Sequence, residues 1–410
     1  MNSPDKGYNF SKITEKAGAG AVGVIYENED VALPFPLEDA GIFVDPGGNE
    51  KIKTHSNHHR AAWREQEITD KSGNTYFVIT TKGVGYLYPE TYTSKKDDYR
   101  GHSSQKEISM HKSKEYGWGY NVLGLFDRRN LAPLIENARE MEASGMRCEK
   151  IVGAMEMKKF IINGEVNDIS QLRLYLLAEA EEADLSEKVK ADLTCFEPVQ
   201  IVRLSREAMR IKDFCESGNA EKEIMLKKTL ANLNRENESA GKAERYDFND
   251  KESIKSYLKD FFAQAGKNLA ILHNEGKIMC FLNSGNITLS LAEVVDLDSL
   301  IHLTGDKLIL SPLITPDMES GLPKGYVKDA RDEIYALKML LKSFEEILTI
   351  REEERNIFLT RYMKSYLSVS DRKKLEKLKI DAEILKKIVS DFAEKMILKN
   401  ESARRLKYLD

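Results

Sequence analysis

The chain has only four cysteines, Cys148, Cys195, Cys215 and Cys280, and no CxxC pair. That excludes a disulfide framework and the usual spacing of a zinc site, and the thiols read as reduced, as in a cytosol-like compartment. No uncharged apolar run approaches the roughly 18 residues that a membrane-spanning helix needs. The first residues, MNSPDKGYNFSKITEK, lack the apolar stretch of a secretory signal. Charge of one sign is not in excess either: 62 Lys and Arg face 67 Asp and Glu, a formal net charge of -5. A field that weak argues against nucleic acid or an anionic membrane as a partner. The expected setting is therefore the cytoplasm, or a host cell entered without a cleavable signal.

What is present is 41% apolar and 31% charged residues, the balance of a globular protein with a well-hydrated surface. Residues 1–125 are rich in glycine, aromatics and β-branched side chains. Val22–Tyr26, Tyr76–Thr81 and Tyr120–Phe126 read as strands. Leu131, Leu134, Ile135, Ala138 and Met141 then share a helical face that Gly145 ends, and Lys150–Val152 reads as a return strand. An acidic helical stretch over 170–195 leads to a strand at Val199–Leu204. The polar segment Glu216–Asp250 reads as a partly helical surface insertion or linker.

Ile254, Tyr257, Leu258, Phe261, Phe262, Ala265, Leu269 and Leu272 predict a strong amphipathic helix. Short strand-like runs follow at Asn286–Leu289 and Glu293–Leu297. Beyond them come two helical stripes. One carries Ile334, Leu337, Leu340, Leu341, Phe344 and Leu348. The other carries Ile384, Leu385, Ile388, Val389 and Phe392 behind Asp381 as N-cap. A β-rich part with one main helix, then a helical part interrupted by a small hairpin, is the order of a protein kinase. The expected class is α+β, a two-lobed kinase-like fold. Its parts would be an N-lobe over 1–165, a C-lobe core over 166–330 and a helical extension over 331–410.

Four pieces with nucleotide chemistry occur in order. Lys82 closes a strand and precedes Gly83 and Gly85, so its amine can reach a phosphate where the backbone comes close. Glu136 on the next helix is placed to orient a lysine through an ion pair. Arg203 and Arg210 are seven residues apart, and a guanidinium suits phosphate because its planar fork donates two hydrogen bonds. Asn286 before one short strand and Asp296 after the next set two oxygen donors at one hairpin mouth, fit for Mg²⁺ or Mn²⁺ bound to ATP.

Taken singly, each piece has an ordinary reading. Lys82 suits a strand end, Glu136 stands among Arg128, Arg129 and Arg139, and both arginines suit a surface. Asn283 and Asn286 suit a turn, and Asp296 a loop cap. Gly18-Ala19-Gly20-Ala21-Val22-Gly23 lies far upstream of Lys82 without a clear strand before it, which favours chance over a nucleotide loop. His55, His58 and His59 read as a surface loop, and Cys280 as a small core residue.

As an ordered set, from about residue 75 to 300, the pieces resemble the selenoprotein O family. These are kinase-fold enzymes that bind ATP in a flipped pose and transfer AMP to protein hydroxyls. Lys82-Gly83-Val84-Gly85, Glu136, the Arg203/Arg210 spacing, Asn283-Ser284-Gly285-Asn286 and Asp296 match its motifs in turn. The resemblance implies that Lys82, Arg203 and Arg210 hold phosphates, with Glu136 supporting, and that Asn286 and Asp296 hold the metal. It departs in two places. Gly285 stands where the family has an acid, and Phe281 where a conventional kinase has its catalytic aspartate. Phosphate transfer to a hydroxyl uses that missing base. The expected function is therefore an ATP-dependent transferase of kinase fold that moves AMP to a side chain of a protein partner; glutamylation through an acyl-adenylate, as in related effector polyglutamylases, stays open. The alternative is a catalytically inactive pseudokinase acting as a binding or scaffold module.

Overall fold

The computed structural model describes residues 8–44, 50–55, 58–84, 108–109, 121–122, 125–162, 165–182, 187–279, 281–303, 316–318 and 320–398. The fold is mixed α/β, sheet-rich in its N-terminal part and helical in its C-terminal part. The chain divides into two compact units. Unit 1 comprises Met1–Ser72, Tyr76–Ile135 and Ile151–Leu204; unit 2 comprises Gly73–Thr75, Glu136–Lys150 and Ser205–Asp410.

Unit 1 is built on one large sheet. Its strands are β1 (Tyr8–Lys12), β2 (Val22–Glu27), β3 (Ile42–Val44), β4 (Glu50–His55), β5 (His58–Thr69) and β6 (Thr75–Lys82). The short β7 (Ile108–Ser109) and β8 (Asn121–Val122) pair with each other. After β9 (Phe126–Asp127) come β10 (Lys150–Met157), the hairpin β11 (Lys159–Ile162) with β12 (Glu165–Asp168), and β13 (Pro198–Ser205). The sheet order is β2-β10-β13-β6-β5-β4-β1-β3, with β9 on β13. Along β6 and β13 every residue is buried, the apolar ones together with Thr75, Thr80, Thr81 and Lys82 on β6 and Gln200, Arg203 and Ser205 on β13. Ala21, Val22, Leu37, Tyr76, Ile79, Val152, Met155, Phe160 and Val202 belong to the core beneath. Gln200, fully buried on β13, accepts from the Ile42 N–H at 2.9 Å and donates to the Ile42 carbonyl, fastening β3.

The helices are α1 (Ile13–Ala17), α2 (Leu131–Ala143), α3 (Ile169–Glu182), α4 (Glu187–Thr194) and α5 (Ile211–Glu216), then α6 (Asn219–Ser239), α7 (Lys251–Asn274), α8 (Lys324–Phe344), α9 (Glu352–Val369), α10 (Arg372–Lys377) and α11 (Ala382–Ala393). The strand pair β14 (Lys277–Ile278) and β15 (Ile301–His302) lies in unit 2. All eight expected face residues of α7 are buried, and so are all six of the stripe that begins at Ile334. Asp381 caps α11 by accepting from the amides of Glu383 and Ile384 at 2.9 and 3.0 Å. Ile384, expected on the buried stripe, is instead 38% exposed.

Three other expectations change. Residues 216–250 are no loose insertion: α6 buries Met225, Leu226, Leu230 and Leu233 together with Lys222, Thr229, Asn232 and Asn237. His55 and His58 are not in a loop, because they end β4 and open β5 and pair with each other beyond a register shift at Thr54/His55. Of the strand expected at Tyr120–Phe126, Asn121–Val122 and Phe126 are extended; 120, 123 and 124 lie outside the described residues. Gly85 and Cys280 lie outside them too.

In unit 2, α7 and α9 touch backbone to backbone. A Cβ on Gly266 would fall inside the contact distance of the Tyr362 carbonyl oxygen. In an ordinary helix interior Gly→Ala stabilises by about 0.5–1 kcal/mol. Here the sign reverses: Gly266→Ala should lower stability by roughly 1–3 kcal/mol through overpacking, read as a lower urea midpoint at unchanged slope.

Glu333 on α8 is buried and accepts from the Tyr362 hydroxyl at 2.8 Å. Burial pushes its carboxyl up to about 8, with Asp329 adding to the rise against the Tyr362 bond. The folded form therefore holds a proton that the unfolded chain releases near the ordinary carboxylate value. Its contribution to stability is complete below that value and is lost as pH rises through about 8. Glu333→Gln should flatten the fall in melting temperature across that window.

Candidate functional site

The candidate residues fall into two sets, one in each unit. In unit 1, Lys82 ends β6 and is only 1% exposed, with its Nζ 5.9 Å from the centre of the Phe126 ring. Arg203 is buried on β13, the strand next to β6. Gly83 has φ +86°, and a Cβ there would lie 2.6 Å from the Val199 carbonyl oxygen. The glycine after Lys82 is thus required by the close approach of β13. Two cationic side chains thus stand on adjacent buried strands.

In unit 2, Asn286 and Asp296 lie on facing arms of a short ladder. Ile287 bridges Val294, and the Thr288 amide donates to the Glu293 carbonyl at 2.9 Å. The Val295 amide donates to the Asn286 carbonyl at 3.0 Å. The two strand-like runs expected from sequence form this ladder and no longer strand. The other edge of the Asp296 arm pairs with residues 147–149. The Val294 amide donates to the Arg147 carbonyl and the Glu149 amide to the Val294 carbonyl, both at 2.9 Å.

Asp296 has φ 72° and ψ 42°, the left-handed region. A non-glycine residue there carries backbone strain and persists only where its surroundings fix it. What fixes it is Glu149, 2% exposed, whose Oε1 accepts from the amides of Asp296 and Leu297 at 3.0 and 3.1 Å. Sequence reasoning missed Glu149. It is 147 residues away from Asp296 and stands in no motif.

Arg210 immediately precedes α5. Its amide donates to Asp213 Oδ2 at 3.0 Å, the backbone half of a capping box. The guanidinium turns into the Asn286 loop, where Nη1 donates to the Gly285 carbonyl and, at 3.2 Å, to Asn286 Oδ1. The Asn286 side-chain amide in turn donates to the Phe281 carbonyl at 3.0 Å. The structure thus unites Arg210, Asn286 and Asp296 in one unit, and sets Lys82 beside the strand of Arg203 in the other.

Glu136 is exposed on α2. Its recorded electrostatic neighbours are Lys277 and His302. The buried Lys277 amine lies 2.6 Å from Asn137 Oδ1, 2.5 Å from Glu140 Oε2 and 2.8 Å from His302 Nε2. Burial pulls its pKa down, opposed chiefly by Glu140.

A divalent metal was expected on Asn286 and Asp296. Mg²⁺ takes oxygen ligands at close range and repels other cations from them. Asn286 Oδ1 already accepts from a guanidinium whose anchor is buried. Among the described residues no group of three His, Cys, Asp or Glu is placed to hold a metal ion. As folded, Asn286 Oδ1 is shared with the Arg210 guanidinium.

No protein-family model and no curated protein matches the chain. Among solved structures, the kinase domain of a Toxoplasma gondii specific rhoptry antigen is similar. It matches at 10% identity over 85% of each chain, with a TM-score of 0.34. No helix among the described residues is long and apolar enough to cross a membrane.

Removing Glu149 should expose its role. Glu149→Ala leaves two buried amides unmet and should cost on the order of 1–3 kcal/mol for each. Glu149→Gln keeps an accepting oxygen and should cost markedly less. Thermal unfolding of both variants checks the order.

Proposed function

We propose that the chain is an ATP-binding protein of kinase-like architecture that acts on or through a protein partner as a pseudokinase module. The observation that carries this reading is Asp296, held in a left-handed conformation by Glu149 at the end of a short ladder that begins with Asn286. Strained backbone of this kind clusters at functional sites, and Asp296 is the carboxylate among the described left-handed non-glycine residues, the others being Leu291, Ala292 and Lys379. The sheet supports the reading. In a kinase the phosphate lysine stands on the third strand of the lobe, and the helix glutamate, loop asparagine and metal aspartate follow in sequence. Here β4, β5 and β6 are neighbours in that order, Lys82 closes the third, and α2, Asn286 and Asp296 follow. Between β4 and β5, where a kinase has its glycine-rich loop, the sequence has Ser56 and Asn57, with no glycine. The run Gly18–Gly23 leads into β2 at the opposite end of the sheet.

Phe281 in place of an acid leaves no base to take the proton of an acceptor hydroxyl, which argues against γ-phosphate transfer. A second reading, AMP transfer to a protein side chain, is favoured by Lys82 and Arg203. In that reaction the acceptor oxygen bonds to the α-phosphorus and the bond to the β-phosphate oxygen breaks. Pyrophosphate leaves, the hydroxyl proton passes to solvent, and the two cations would stabilise the departing charge.

ATP should raise the melting temperature by mass action, and Lys82→Met and Arg203→Met should each weaken that shift while the variants stay folded. No shift at millimolar ATP, with or without Mg²⁺ or Mn²⁺, overturns the proposal. Given binding, transfer of α-label to protein selects AMP transfer and transfer of γ-label selects a kinase. Transfer of neither selects the pseudokinase module.

A further inference from the structure

We propose that unit 2 carries a phosphate site, separate from the residues assigned to ATP. It is a cavity bounded by α8, α9 and the π-helical turn Glu394–Leu398 that follows α11. The volume is about 100 Å³, well under the roughly 300 Å³ at which pockets begin to enclose a drug-sized ligand. That suits a tetrahedral oxyanion and excludes a nucleotide.

Three cations line it, from two helices. Lys338 and Lys342 stand one turn apart on α8, and Arg355 lies near the start of α9. Glu345, the C-cap residue of α8, is the carboxylate among the described lining residues, and Arg355 already holds it. Three charges against one leave a surplus of two positives. The other acids of these helix ends face different cations. Glu346 meets Lys222 at 2.6 Å, and Glu352 and Glu354 meet Lys255 at 2.7 and 2.6 Å. Among the described residues no hydrogen bond or ion pair engages the Lys342 ammonium, so its donors can turn to a ligand.

Helix electrostatics explain only one of these cations. Lys342 is in the last turn of α8, where its charge complements the helix dipole. Lys338 is deeper in the helix, and Arg355 sits where α9 presents the positive end of its dipole. Like charges one turn apart also weaken a helix. Burial pulls the Lys338 amine below its ordinary value, and Lys342 and Arg355 push it the same way. A phosphate dianion reverses these effects, because it gives two ammonium groups and a guanidinium charged acceptors. Leu341 and Met396, both buried, back the cavity with apolar surface, against which a charged hydrogen bond is stronger than in open water. Bound there, the anion ties α8 to α9.

The test is calorimetric titration of the full chain with inorganic phosphate and with methyl phosphate, at constant ionic strength in chloride. Saturable binding of the dianion is expected. Lys338→Met and Lys342→Met should each weaken it by about tenfold or more. Glu345→Gln should act in the opposite direction and tighten binding, because Arg355 then turns its fork to the phosphate. Methyl phosphate matching or exceeding inorganic phosphate assigns the natural ligand to small phosphomonoesters, and weaker binding assigns it to free phosphate. A phosphate taken up beside Lys82 or Arg210 would survive these substitutions, so only binding that they change counts. Lys342 is exposed, so its variant decides even if Lys338→Met fails to fold. No saturable binding of either probe, binding that the lysine variants leave unchanged, or binding that Glu345→Gln weakens overturns the proposal. None of these results touches the ATP reading.

Discussion

Four charges in unit 2, Arg206 and Glu293 buried and Arg147 and Glu236 half-buried, fix the Asp296 arm in space. Arg147 grips both oxygens of Glu236, at 2.8 and 2.6 Å, and donates through Nε to the Ser290 carbonyl at 2.8 Å. Arg206 joins Glu236 at 2.9 Å and Glu293 at 3.1 Å, and its own amide donates to both Glu293 oxygens. Desolvating one such charge alone would be costly, but two cations and two carboxylates with fork geometry offset most of that cost. The two acids respond differently. Burial raises Glu236, but the two guanidinium groups outweigh it and hold the carboxyl below its ordinary range. Glu293, with no exposed surface, stays raised by burial despite the same arginines. Helix α6, the segment 147–149 and the ladder that ends at Asp296 are bound together through this set.

That arrangement explains which parts of the fold were legible in the sequence. Helices α7, α8 and α11 bury apolar stripes at helical spacing, and the spacing alone predicts them. Strands β6 and β13 are buried along their whole length, and their apolar cores, Tyr76–Ile79 and Val199–Leu204 apart from Gln200 and Arg203, made them legible. Helix α6 was hidden because it buries Lys222, Thr229, Asn232 and Asn237 among its leucines. Its polar face meets partners far along the chain, such as Glu346 for Lys222 at 2.6 Å and Glu207 for Thr229 at 3.0 Å. Strand β5 was hidden by the charges of its sequence HHRAAWREQEIT.

The candidate site was legible by residue type but not by connection. Lys82, Arg203, Arg210, Asn286 and Asp296 stand out because their chemistry suits phosphate and metal. Which of them touch depends on backbone that no motif records. Backbone bonds of residues 209, 211 and 212 along the Asn286 loop bring Arg210 onto Asn286, and pairing of residues 147–149 with the Asp296 arm brings Glu149 under Asp296. Glu149 could not have been singled out from its neighbours in sequence.

The contact of Gly266 with Tyr362 has a mechanical consequence. Two helices separated by side chains can roll or slide on a compliant layer, but α7 and α9 press main chain on main chain. At their far end they are pinned again: Asn274 donates to the Val369 carbonyl at 2.8 Å and accepts from the Asp371 amide at 2.8 Å, and His273 meets the Tyr366 hydroxyl at 3.1 Å. The pair thus behaves as one rigid lever. Its outer face carries the exposed Ile357 and Leu367, and its tip is three residues short of Lys277, where the chain sets out toward Phe281 and Asn286. Sliding α9 along α7 would therefore have to break main-chain contact at Gly266 and the Asn274 and His273 bonds together.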